Sequence, residues 1–256
     1  MKSKGKKLLL GIFLAQLFCL PLSWLNGGDK VYQPLPFLFH FLTWWCVWNC
    51  LLTLGFIIWK AVKKPSEKNY STQVIALILM ISNVITFLIF VLGLIIWGTT
   101  ALTTHWGLTE KVVKLVPIPS HRPGQLEISK VVHWWAYAPL WHLGIPVIFI
   151  YWFFRYVPKN LLRKKLWLTL LLCLIQPALY FIYCSLRVKL SPPNWLKEPF
   201  THWPYGFLSS KNMAQKWKVE RWIYRTAFVL FWFTLFGLIA YFSLRCVKKK
   251  RKNHFE

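Results

Sequence analysis

Apolar positions in this chain are collected into long blocks. Six runs stand out, at 8–25, 37–59, 74–97, 131–154, 166–186 and 223–244. A helix needs about 20 mostly apolar residues to cross the hydrocarbon of a bilayer, and several of these runs exceed what a helix in a soluble core uses. Between them lie breakers and charges. Asn26-Gly27-Gly28-Asp29 ends the first run, Lys60, Lys63 and Lys64 end the second, and Arg155 stops the fourth. Two longer connections, 98–130 and 187–222, are rich in proline or aromatic residues, and there is no internal repeat. The predicted fold class is therefore all-α: a polytopic integral membrane protein with six transmembrane helices, forming a single membrane domain over 1–256. The first run follows four lysines and lacks a small-residue cleavage site, and Phe18 before Cys19 makes a poor lipoprotein processing site. It is expected to remain as an uncleaved helix.

The fourth run, VVHWWAYAPLWHLGIPVIFIYWFF, differs from a plain lipid anchor. His142 lies near its middle. Pro146 lacks an amide hydrogen, so it cannot donate the usual helical bond to the His142 carbonyl, and Pro139 withholds the same bond from Trp135. Polar groups at membrane depth must find partners within the protein or in a wet cavity. This run is the expected wall of a site.

Charge sharpens the picture. Lys and Arg number 32 against 7 Asp and Glu, a net charge of +25. Such a balance raises the possibility of nucleic-acid binding, but the basic residues mostly flank apolar runs, as membrane topology requires. Four lie in the N-terminal tail, four in 60–68, five in 155–165 and six from Arg245 onward, together 19 of the 32 and all in short segments. Both termini are accordingly expected to be cytoplasmic, with 98–130 and 187–222 facing outward. Trp59, Trp97, Trp134 and Trp152, near run ends, read as interfacial belts. The six cysteines lie in or beside apolar runs without a paired CxxC or a Cys/His cluster, so no metal is expected and they read as free thiols. Cys46 and Cys50, one turn apart, read as helix packing.

All seven acids lie outside the six runs. That argues against a proton-coupled transporter built on an intramembrane carboxylate. The polar groups left at depth are His40, Thr43, Asn49, Asn83, His133, His142 and Gln176, with some Ser, Thr and Tyr. Thr43 lies roughly 9 Å and His142 roughly 16 Å below the outer boundary, at 1.5 Å per residue. His40, Thr43, Val47 and Cys50 share one helix face, and Pro139, His142, Pro146 and Phe149 another. Where such faces meet, a hydroxyl comes within reach of an imidazole, as a base-activated nucleophile needs. The plainer alternative is a threonine bonded to its own backbone and a packed histidine. His133, at the boundary, reads as a solvated interfacial residue.

Three short motifs occur in a recognisable order: Phe41-Leu42-Thr43 before an apolar helix, His142-x-x-x-Pro146 in a later one, and Pro204-Tyr205-Gly206-Phe207-Leu208 before the last. In these the chain resembles the androgen-induced-protein family of six-helix membrane proteins and its small bacterial relatives, over most of its length. The family's loop motif usually reads Tyr-Pro-Tyr-Pro-Phe-Leu; here Trp203 and Gly206 depart from it. Asn49 stands near, though displaced from, an Asn that bacterial members often carry after the Thr.

The resemblance implies an intramembrane hydrolase of fatty-acid esters, with Thr43 as nucleophile and His142 as base. His142 would take the proton of Thr43, an acyl-threonine would form, and water from the outer face would release it. General-base help of this kind contributes about 10²–10⁴-fold. With no acid at depth, a neutral group must orient His142, and Gln176, Asn83 and Tyr183 are the candidates. His202 and Tyr205 would line the mouth of a cavity between the second and fourth runs, with Asn49, Asn83 and Gln176 contacting substrate. No cofactor is implied; the expected partners are lipids of the cell membrane, with no nucleic acid. The alternative function is a membrane substrate-binding or transport subunit that uses the same cavity without chemistry.

Overall fold

A computed structural model describes residues 3–25, 38–39, 41–42, 44–104, 139–191 and 220–245. They are helical: α1 (Ser3–Leu25), α2 (Trp45–Lys63), α3 (Tyr70–Thr104), a π turn (Leu140–Gly144) continued by α4 (Ile145–Tyr156), α5 (Asn160–Lys164), α6 (Leu166–Cys173), α7 (Ile175–Leu190) and α8 (Arg221–Arg245). Among the described residues, five segments are long and apolar enough to cross a membrane: Ser3–Trp24, Trp45–Lys63, Tyr70–Leu92, Leu166–Leu190 and Trp222–Arg245. That is one fewer than the six runs suggest, because the first eight residues of the run at 131–154 lie outside the described residues.

Helix α3 is the axis. It packs against α2, the π turn, α4, α5, α6 and α8, while α1 lies across α2, the π turn and α4. Its residues Leu77, Leu79, Met80, Ile81 and Ile85 are sealed from the surface. Outward faces are the reverse of a soluble protein's. Leu10, Leu14, Leu17 and Phe18 are exposed on α1. Trp167, Leu171, Ile175, Leu179, Ile182, Leu186 and Leu190 form one exposed apolar stripe along α6 and α7, at steps of three and four residues. An apolar exterior around a core that holds the buried amides is the pattern of a bundle solvated by lipid.

Three boundaries differ from the sequence reading, each for a local reason. Helix α2 starts at Trp45 rather than at 37, because Trp44 is extended (φ −76°, ψ 128°). Of the face expected for His40, Thr43, Val47 and Cys50, the first two lie outside the described residues, and Val47 and Cys50 are both buried on α2. Helix α3 continues through Gly98 to Thr104, where a loop was expected. The fifth run is split: α6 ends at Cys173 and α7 begins at Ile175. Pro177 has no amide hydrogen for the Cys173 carbonyl, so the ladder breaks one turn before it, and Leu174 N–H donates back to Leu171 O at 3.1 Å.

The end of the bundle where α2 leads into α3 is tied by charge. Lys64 adopts the left-handed conformation (φ 46°) and caps α2 through its N–H to Lys60 O. Lys60 Nζ lies 2.8 Å from Glu67 Oε1 and 5.3 Å from the centre of a Trp152 ring on α4. Arg163 Nε donates to Leu244 O at 2.7 Å, fastening α5 to the last turn of α8. Lys159, almost fully buried, donates to Phe154 O and lies over the Phe153 and Phe154 rings.

Candidate functional site

The proline pattern around His142 produces a π turn. Ile145 N–H donates to Leu140 O, five residues back, and Pro146 occupies the first turn of α4. A wider turn is the local answer to a proline that cannot complete the ladder, and single π turns of this kind are frequent at functional sites. Gly144 closes it; a Cβ there would come within 3.3 Å of Leu140 Cδ1. His142 stacks on Phe90 of α3, ring centres 4.8 Å apart and planes 8° from parallel. Trp141 beside it is buried, His142 itself is partly exposed, and Phe149 on the expected shared face is fully buried.

Further along α3 lies a buried polar cluster. Asn83 Nδ2 donates to Leu79 O at 2.8 Å and to Asn49 Oδ1 at 3.3 Å. Asn49 Nδ2 donates to Thr86 Oγ1 at 3.3 Å, and Thr86 Oγ1 donates to Ser82 O at 2.9 Å. Trp45 Nε1 donates to the same carbonyl at 3.4 Å. Ser82 Oγ donates to Gln176 Oε1, which brings α7 into the cluster. Rings enclose it: Trp45 stands edge-on to Tyr180 at 4.9 Å and to Phe236 at 5.7 Å. Asn49, Asn83 and Gln176, each expected from sequence to contact substrate, lie in one hydrogen-bonded cluster where α2, α3 and α7 meet. Ser82 and Thr86 join them without being candidates in the sequence. Their signal was two hydroxyls four residues apart beside Asn83, inside the most apolar run of the chain.

Orientation of His142 is a different matter. Asn83 donates to Leu79 and Asn49, Gln176 accepts from Ser82, and Tyr183 Oη donates to Phe39 O at 3.2 Å. The described hydrogen bonds of all three therefore go elsewhere. Asn83 is seven residues from Phe90, so the cluster is centred roughly 10 Å along α3 from the His142 ring. Thr43, His40, His133, His202 and Tyr205 lie outside the described residues. The neighbours of Thr43 are described: Phe41 packs edge-on to Trp24 at 5.4 Å, and Trp44 N–H donates to Phe41 O at 3.2 Å. Helices α2 and α4 touch through Phe56 and Lys60 against Trp152.

Among the described residues no group of three or more His, Cys, Asp and Glu is arranged to hold a metal. Cys19, Cys46, Cys50, Cys173 and Cys184 are free thiols. No protein-family model, curated protein or solved structure matches the chain.

Proposed function

We propose that the chain is a six-helix protein of the cell membrane, with both termini cytoplasmic, that hydrolyses fatty-acid esters of membrane lipids. Thr43 is the nucleophile and His142 the base, as the resemblance to the androgen-induced-protein family implies. The observation that carries this reading is the mounting of His142. Its ring is fixed by a stack on the central helix, its backbone sits in a π turn, and one part of it stays open. A ring held that way has little rotational freedom left to lose when it accepts a proton, which is what a positioned base requires.

The register of α2 on α3 is compatible with the pairing. The two helices run antiparallel through the short turn at 64–69, and Asn49 meets Asn83. Continuing that register brings Trp45 level with Phe87, about one turn of α3 from Phe90. Basic residues at the ends of α2, α4, α5 and α8 support the cytoplasmic assignment of that end.

A fluorophosphonate probe on purified protein tests the reading. Labelling is expected on wild type and lost in both Thr43→Ala and His142→Ala. A second reading is favoured by one observation: the cluster amides are bonded among themselves rather than to His142. It is a substrate-binding or transport subunit without chemistry, and it predicts retained lipid and no labelling.

A further inference from the structure

In and beside the polar cluster lie buried groups that no described residue satisfies. Gln16 Oε1, Thr53 Oγ1, Asn83 Oδ1 and Gln176 Nε2 are sealed from the surface, with no hydrogen-bond partner among the described residues. Their residues are 1%, 0%, 0% and 5% exposed. In hydrocarbon an orphaned polar atom is strongly disfavoured, and native interiors rarely leave one so. Four at one junction call for a common partner.

Register brings three of them together. The edge-on contact of Trp24 with Phe41 sets the end of α1 beside the chain entering α2, so these helices run antiparallel. Helix α1 packs along α2 in this sense, and Cys19 and Cys50 are both fully buried. Carried back from Trp24 and Phe41, the antiparallel register sets Gln16 about level with the turn from Asn49 to Thr53. Thr53 is also one turn from Asn49, and Asn49 meets Asn83. Gln16, Thr53 and Asn83 thus fall within about one turn of each other, roughly 6 Å along the axis. Gln176 joins through Ser82, the residue before Asn83.

We propose that this junction of α1, α2, α3 and α7 is an internal water site holding a small group of ordered waters. Two of the open atoms are carbonyl oxygens that only accept, one is a hydroxyl that does both, and one is an amide N–H that donates. Water meets all of them, since a buried water makes two to four bonds and can donate or accept. A carboxylate or phosphate does not fit, because it would face two carbonyl oxygens with a single amide donor and no cation of the cluster to balance it. Among the described residues, neither Lys nor Arg contributes to the cluster's hydrogen bonds.

The site has a use in the proposed hydrolysis, and this one step rests on that reading. An acyl-threonine inside a membrane is released only if water is present there. The water oxygen bonds to the acyl carbon as the bond from that carbon to Thr43 Oγ breaks. His142 takes the proton from the water and returns it to the threonine oxygen. A water store roughly 10 Å along α3 from the ring that stacks on His142 supplies that reactant without opening the core to bulk solvent.

Synchrotron hydroxyl-radical footprinting of the full chain in nanodiscs tests the site, because bound water yields radicals in place. Cys19 and Cys50 flank the junction, and Cys184 on α7 is equally buried and lies two turns beyond Gln176. Cys19 and Cys50 are expected to be modified several-fold faster than Cys184; equal rates overturn the proposal. Thr53→Val gives a second, independent readout. It lowers the melting temperature if the hydroxyl anchors water, whereas an unchanged or higher value means a dry site and overturns it. Neither measurement involves turnover, so a failed water site and a failed hydrolase reading are told apart.

Discussion

His142 lies flat on Phe90, with ring centres 4.8 Å apart and an interplanar angle of 8°. Phe90→Leu keeps most of the buried volume and removes the stacked face. An aromatic pair adds about 0.5–1.5 kcal/mol beyond its burial, so the melting temperature is expected to fall by only a few degrees. Labelling by the fluorophosphonate probe should slow far more, by about ten- to a hundredfold, because small misplacement of a base is costly in rate. Unchanged labelling would mean the stack does not position the base.

Asn49 and Asn83 join α2 to α3 in the interior. Replacing either alone with Leu leaves the other amide with a lost partner, whereas replacing both removes the unmet need. A double-mutant cycle read by unfolding in detergent should give a favourable coupling of about 0.5–1.7 kcal/mol, the range of interhelical hydrogen bonds in membranes. Additive losses would show that the two side chains do not interact.

Lys60 is held by Glu67 on one side and by Trp152 on the other. Lys60→Met keeps the apolar stem against the Trp152 ring and loses only the charge, so it should destabilise less than Lys60→Ala. Glu67→Gln should cost about 1 kcal/mol or less, as partly exposed pairs do. Equal melting temperatures for the Met and Ala variants would count against packing of the stem.

Pro177 interrupts what would be one helix from Leu166 to Leu190. Pro177→Ala supplies an N–H for the Cys173 carbonyl and should raise hydrogen-exchange protection across 173–178. Straightening the helix there is expected to carry Gln176 away from Ser82. Protection that stays as in wild type would place the cause of the break elsewhere.

Topology is open to labelling in intact cells. With Cys246 replaced by Ser, Lys64→Cys should be shielded from a membrane-impermeant maleimide, and Ser191→Cys should react. The two sites terminate helices at opposite ends, α2 at Lys63 and α7 at Leu190. Reaction at both positions, or at neither, would refute the proposed orientation.

Most of the architecture was legible because lipid imposes a simple demand. A spanning segment must be long, apolar and helical, so block length in the sequence reads directly as an element. Boundaries were less legible. The extended Trp44, which ends the phase of α2, and the extra turns of α3 past Gly98 leave no mark in hydropathy. The split before Pro177 was written in the sequence as a missing amide hydrogen, but only the backbone reveals that the chain answers it at Leu174.

The chain's residues determined by themselves that buried amides and one histidine would have to find partners inside a helical bundle, since hydrocarbon offers none. Which partners they found was decided by tertiary packing. Asn49, Asn83, Ser82, Thr86 and Gln176 met because α3 is central and presents two adjacent faces to α2 and α7. His142 met the ring of Phe90 on that same helix. Helix periodicity states which face a side chain occupies; only the mutual rotation and register of the helices state what lies opposite.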